Sequence, residues 1–216
     1  MSVFVSGGTG FIGQHIVNQL LAQNYKVITS ARSQEKADVV LANFKHNPNL
    51  TVTINGDLSR LDAFDQPFQE YGSQIKYVIH TASPVTFDLK DIEKDMLIPA
   101  VNGTKSILQS IQKHCPNGIE SFVMTSSVAA ISTFKEAYDP KVTANEQSWN
   151  DYTWESAQAS GPDGYFGSKK FAEKYLWDFL KDNKDTLKFK AATILPGFVF
   201  GPQVFDSSVK PHLNLS

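Results

Sequence analysis

Apolar positions along the chain switch repeatedly between a strand-like run and a helical repeat. Val3-Phe4-Val5 is a short apolar run that ends at Gly7-Gly8-Thr9-Gly10, and Phe11 to Ala22 then carries apolar residues at helical spacing. Tyr25 to Thr29 is a second β-rich run, and Ser33 is placed to cap a helix through Phe44 that Asn47-Pro48-Asn49 stops. Leu50 to Ile54 reads as a third strand, Leu61 to Tyr71 as a shorter amphipathic stretch containing Pro67, and Ile75 to His80 as a fourth strand. Asp91 to His114 has a long helical period, which Pro99 should kink or start. Ser121 to Thr125 is a fifth strand, and Thr133 to Pro162 breaks into a polar loop with short helical pieces. Gly164 to Asn183 is helical, Leu187 to Leu195 is a sixth strand closed by Pro196-Gly197, and a short polar tail follows Pro202. Near-continuous apolar strands separated by helices predict an α/β fold with a doubly wound parallel sheet and helices on both faces.

Composition limits what such a fold can do. The chain has 216 residues, 20 basic and 22 acidic side chains and a net charge of −2, a balance that argues against bulk attraction to nucleic acid or an anionic membrane. Apolar residues at 41% and aromatic residues at 12% supply a core, and one domain of this size buries about 70% of its unfolded surface without a disulfide or structural metal. The single cysteine, Cys115, has no disulfide partner in the chain and reads as a structural or surface thiol, not a nucleophile. No signal peptide or membrane span is read, so the expectation is a soluble cytoplasmic protein. The 5 histidines are scattered without metal-ligand spacing, so no metal is expected.

The glycine turn gains meaning from its position. Gly7-Gly8-Thr9-Gly10-Phe11-Ile12-Gly13 follows the first strand and opens the first helix, where small residues admit a pyrophosphate and the helix N-terminus faces its charge. This is a Rossmann-type arrangement. At the end of the second strand, Thr29-Ser30-Ala31-Arg32-Ser33-Gln34-Glu35-Lys36 lacks the acid that an NAD site uses to hold the ribose hydroxyls. Arg32 and Lys36 lie one helical turn apart and are suited to a 2′-phosphate, which favours NADP(H) over two merely solvated cations.

Candidate chemistry lies further along. Tyr165 and Lys169 are four residues apart and share a helix face, where a cation beside a phenol moves its proton affinity toward the working range. Thr125-Ser126-Ser127 ends the fifth strand, where open α/β sheets bind ligands. Ser126 and Ser127 should face opposite ways if the strand continues, and spacing alone does not choose between them.

Together with His80-Thr-Ala-Ser-Pro84, Gly167-Ser-Lys-Lys-Phe-Ala-Glu-Lys174 and Val199-Phe-Gly-Pro202, these strings resemble the extended short-chain dehydrogenase/reductase family. The likeness is closest to its fungal NADPH-dependent methylglyoxal/isovaleraldehyde reductases, relatives of dihydroflavonol reductases. It implies Ser127 as catalytic serine, Tyr165 as proton donor and Lys169 as the residue that lowers its pKa. It further implies that Asp57 and Leu58 flank adenine, that Thr81, Ala82 and Ser83 line the cofactor, and that Pro196, Gly197 and Val199 pack by the nicotinamide with Ser216 close to the cofactor. Val85, Val128 and Phe198 would border an apolar substrate pocket. Gly13 stands where these relatives often carry alanine, an exchange expected to be harmless. The family continues for roughly another third of its length, so residues 1–202 read as the cofactor domain and 203–216 as the start of a connection to a C-terminal substrate domain.

The expected activity is NADPH-dependent reduction of an aldehyde or ketone, with a small-molecule carbonyl as partner and the oligomeric state open. Two alternatives stand beside it: sugar-nucleotide epimerisation on the same fold, which Arg32 and Lys36 disfavour, and a cofactor-binding remnant or sensor without turnover. Trp149, Trp154 and Trp177 read as packing residues, the first two within reach of the pocket, and Lys181, Lys184, Lys188 and Lys190 as a solvated face.

Overall fold

A computed structural model describes residues 1–83, 89–115, 118–133, 135–136 and 139–209. In chain order its elements are β1 (Ser2–Ser6), α1 (Phe11–Ala22), β2 (Lys26–Ala31), α2 (Gln34–Asn43), β3 (Leu50–Ile54), α3 (Asp65–Tyr71), β4 (Ile75–His80), α4 (Ile98–His114), β5 (Ser121–Thr125), α5 (Gly161–Asp182) and β6 (Lys190–Ile194). The strands form one sheet in the order β3-β2-β1-β4-β5-β6, with every pairing parallel. The chain moves outward from β1 to β3 and then returns to β4 on the other side of β1. That reversal opens a crevice beyond the carboxyl ends of β1 and β4. The doubly wound parallel sheet expected from the sequence is the one observed.

Strand alternation divides the core between the two faces. Phe4 joins Phe64, Phe68 and Phe122 beneath α3, α4 and α5, whereas Val3 and Val5 pack with Val17, Leu21 and Val40 beneath α1 and α2. The Phe4 ring lies 4.7 Å from Phe68 and 6.1 Å from Phe64. Cutting any of these fully buried rings back to alanine costs about 3–5 kcal/mol.

Several boundaries differ from the sequence pattern. Helical period begins at Asp91, but residues Glu93–Leu97 form a π-helical turn and α4 starts beside Pro99, whose missing N–H interrupts regular helix bonding. Helix α5 starts three residues before Gly164, because the Ser160 hydroxyl accepts the Asp163 N–H at 3.3 Å and Pro162 fits the first turn. The stretch from Leu61 becomes helical only at Asp65, and β6 is shorter than its apolar run. Residues 203–209 fold back onto the domain: Phe205 packs edge-on against Phe44 at 4.8 Å, and Ser207 donates to Asn43 Oδ1 at 2.8 Å. Strand β6 forms an open sheet edge where Ile194 is 55% exposed and Phe198 and Phe200, stacked on each other, are each 80% exposed.

Candidate active site

The crevice is an open cleft of about 1390 Å³, larger than a typical drug-sized pocket. Gly7, Thr9, Gly10, Phe11, Ile12 and Gly13 line it from β1 and α1, and Arg32 and Lys36 from the start of α2. Asp57, Leu58, Thr81, Ala82 and Ser83 form its floor, with Ser127, Tyr165, Lys169, Pro196, Gly197 and Val199 at the far end. Of the glycine string, Gly8 does not reach the cleft; it lies below, where a Cβ would fall on Thr29. Ser216 and Val85 lie outside the described residues.

The glycine turn is shaped by the protein's own packing. Gly7 has φ +74°, and a Cβ there would stand 2.8 Å from Thr81 Oγ1 and 2.9 Å from the Ala82 nitrogen. A Cβ on Gly13 would press into the Gly7 carbonyl, so alanine at 13 requires the turn to shift. That corrects the expectation of a harmless exchange.

At the Arg32 end of the cleft, the Ser33 hydroxyl caps α2 by accepting the Lys36 N–H at 3.4 Å. This cap places Arg32 just before the helix and Lys36 in its first turn. The Asp57 carboxylate accepts the Ser59 N–H at 2.8 Å and the Ser59 hydroxyl at 2.7 Å, which hold its pKa below the usual carboxylate range. Ser30, which the sequence reading did not assign to the site, lines the cleft beside Arg32. Its hydroxyl is buried and has no hydrogen-bond partner among the described residues.

Strand β5 ends at Thr125, and the next two serines part. Ser126 donates to the buried carboxylate of Glu173, while Ser127 faces Tyr165, whose hydroxyl lies 3.4 Å from Ser127 Oγ. Both serines line the cleft, and the two differ in the partners that their hydroxyls meet. Lys169 is 6% exposed and its ammonium lies 5.4 Å from the centre of the Tyr165 ring. Burial pushes its pKa down to about 8.

His80 closes the floor from below. Ser6 Oγ accepts the N–H groups of Thr81 at 3.0 Å and Ala82 at 3.1 Å, so its own proton goes to His80 Nδ1 at 2.8 Å. The ring then carries its proton on Nε2. Burial, assisted by the Lys169 charge, pushes the His80 pKa down to about 3 and keeps the ring neutral. His80 thus shapes the Thr81-Ala82 wall and does not act as a base.

Some residues fall elsewhere than expected. Phe198 stacks on Phe200 away from the cleft, and Val128 does not line it. Trp154 packs on Phe171 at 5.2 Å and donates to Glu93 at 2.7 Å, outside the cleft. Burial raises the Cys115 pKa to about 11, consistent with a structural thiol. Gln203, Ser207 and Ser208 do line the cleft, although their polar stretch carries no periodic signal. They are drawn in by the Phe205–Phe44 contact and by His15 donating to the Pro202 carbonyl at 3.0 Å.

Known proteins are similar to this chain in sequence and fold. The chain matches the 3-beta hydroxysteroid dehydrogenase/isomerase family over residues 4–213. The chain belongs to that family. It is 54% identical over its full length to the NADPH-dependent methylglyoxal reductase of Saccharomyces cerevisiae, and 43% identical to a putative NADPH-dependent methylglyoxal reductase of Candida albicans. It spans 63% of the length of each. The crystal structure of yeast methylglyoxal/isovaleraldehyde reductase complexed with NADPH superposes with a TM-score of 0.96 at 54% identity, covering 99% of this chain and 63% of that one. A Thermus thermophilus UDP-glucose 4-epimerase, 22% identical with a TM-score of 0.61, shares the fold.

For this family member, the residues present fit a phosphorylated dinucleotide. The unsatisfied Ser30 hydroxyl beside Arg32 calls for a polar ligand at one end, and the buried Lys169 ammonium calls for hydroxyl or carbonyl acceptors at the other. Among the described residues there is no metal-binding cluster and no helix long and apolar enough to cross a membrane.

Proposed function

We propose that this chain carries the cofactor site and catalytic residues of a cytoplasmic NADPH-dependent reductase of small aldehydes or ketones. The observation that carries the reading is the convergence of Ser127, Tyr165 and Lys169 at one end of a cleft whose other end holds Arg32 and Lys36. The relatives named methylglyoxal reductases support the substrate class. The likeness to the extended short-chain dehydrogenase/reductases supports reading residues 1–202 as the cofactor domain and 203–216 as the lead into a substrate domain.

Bound NADPH supplies the hydride. Arg32 grips the 2′-phosphate as a planar fork, with Lys36 adding a point charge, while Ser30 offers a hydrogen bond beside them. Gly7 to Gly13 and the N-terminus of α1 hold the pyrophosphate. Asp57 and Leu58 flank adenine, and Thr81, Ala82, Ser83, Pro196, Gly197 and Val199 wall the cofactor. Lys169 hydrogen-bonds the nicotinamide ribose and sets a positive charge beside Tyr165. The Ser127 hydroxyl orients the substrate carbonyl, and Tyr165 donates its proton to the carbonyl oxygen as negative charge develops there.

Purified chain should bind NADPH more tightly than NADH and oxidise it in step with consumption of methylglyoxal or isovaleraldehyde. Tyr165→Phe should lower kcat by about 100- to 10,000-fold while leaving the Kd for NADPH within about threefold. NADPH binding without carbonyl-dependent oxidation would instead favour a cofactor-binding module without turnover.

A further inference from the structure

Glu173 sits four residues beyond Lys169 on the inward face of α5 and is 4% exposed. It does not line the cleft, so it touches neither cofactor nor substrate. Its Oε2 accepts the hydroxyl of Ser126, and its Oε1 accepts Thr193 Oγ1 at 2.9 Å and Trp177 Nε1 at 3.2 Å. All three partners donate, which suits a carboxylate, and no lysine or arginine pairs with it among the described residues. A buried carboxylate without a cation is costly, and three donors offset that cost. An apolar side chain would fill the same volume without the cost. The placement of a carboxylate here asks what its hydrogen bonds hold.

We propose that Glu173 is a positioning residue for the Ser127–Tyr165 pair, acting through Ser126 and Thr193. The three anchored elements are those that border the reacting end of the cleft. Ser126 immediately precedes Ser127, Thr193 lies near the end of β6 just before Pro196, and α5 itself carries Tyr165 and Lys169. Beyond Glu173 the two strand ends stay zipped: Ser126 N–H donates to the Ile194 carbonyl at 2.8 Å and Val128 N–H to the Pro196 carbonyl at 3.1 Å. Ser127 therefore inherits its place from a segment that the carboxylate pins to the tyrosine-bearing helix. The Ser127–Tyr165 separation of 3.4 Å is already at the long end of a hydrogen bond, so small displacements matter there.

The inference rests on the reductase reading, and two readouts separate their failures. In the full 216-residue chain, Glu173→Ala should lower kcat by about 30- to 100-fold, on the scale of a 1 Å misplacement, with the Kd for NADPH within about threefold. Ser126→Ala should reproduce most of that loss and add nothing to it in the double variant. Glu173→Gln should recover kcat to within about fivefold, since its carbonyl can accept from Thr193 and Trp177 while its amide donates to Ser126 Oγ. A crystal structure of Glu173→Ala, or of Ser126→Ala if the first variant does not fold, should show Ser127 Oγ moved away from the Tyr165 hydroxyl. Unchanged kcat in Ser126→Ala, or an unchanged Ser127–Tyr165 distance in the crystal, overturns the proposal. Absence of carbonyl turnover in the wild-type chain overturns the reductase reading, and the crystallographic distance still decides the role of Glu173.

Discussion

Lys169 combines two properties that pull against each other. Its ammonium is buried, which pushes its pKa down to about 8, yet the proposed mechanism needs the positive charge. Below pH 8 the charged form prevails in the free protein, and above it the amine does. We therefore expect kcat/KM for NADPH to fall by about tenfold per unit as pH rises beyond about 8. A Lys169→Arg variant, slower but permanently charged, should show no such fall; a wild-type profile flat to pH 10 would contradict the assignment. His80 makes a second residue-scale prediction. Its pKa drops from 6.5 to about 3 on folding, so between those values the unfolded chain binds the extra proton. Stability should therefore be lost as pH falls through that window, by up to about 1.4 kcal/mol per pH unit. Denaturant titrations at pH 6 and pH 4 should show a steeper loss for the wild type than for His80→Gln.

At the scale of elements, the strands and the glycine turn were legible because each rests on a local signal. Val3-Phe4-Val5 is apolar at every position and β1 is covered on both faces, so sequence and burial agree. The second helix begins where Ser33 can cap it, and it does. What local pattern did not carry was tertiary. The start of α5 moved to Gly161 because Ser160 and Asp163 cap it, and the π-helical turn before Pro99 disturbs a period that looked continuous. The different partners of Ser126 and Ser127 depend on Glu173, 47 residues away from Ser126. The wall formed by Gln203, Ser207 and Ser208 came from a single aromatic contact that no periodicity announces. Phe205→Ala should release that wall. An aromatic pair is worth about 0.5–1.5 kcal/mol, so the Kd for NADPH should rise by about 2- to 12-fold, read by titration of the cofactor's fluorescence. An unchanged Kd would mean that residues 203–209 do not contribute to cofactor binding.

Across the whole molecule, the sheet reversal between β1 and β4 brings two separately encoded halves to one crevice. The first half contributes the glycine turn, Ser30, Arg32 and Lys36; the second contributes Ser127, Tyr165 and Lys169. Neither half alone spans the cleft, which is why the site resolves only once the strand order is known. The exposed Ile194, Phe198 and Phe200 lie in and just after β6, outside the lining of the reacting end, and the chain spans 63% of the length of its yeast relative. The central claim concerns what happens at that end: a hydride reaches a carbonyl carbon while Tyr165 protonates the oxygen. The most direct test is to incubate the chain and isovaleraldehyde with NADPH deuterated at nicotinamide C4, each face labelled in turn, and analyse the alcohol by mass spectrometry. The account predicts one deuterium on the carbinol carbon from one of the two labelled faces. Unlabelled alcohol from both, or no alcohol with cofactor bound, would contradict it.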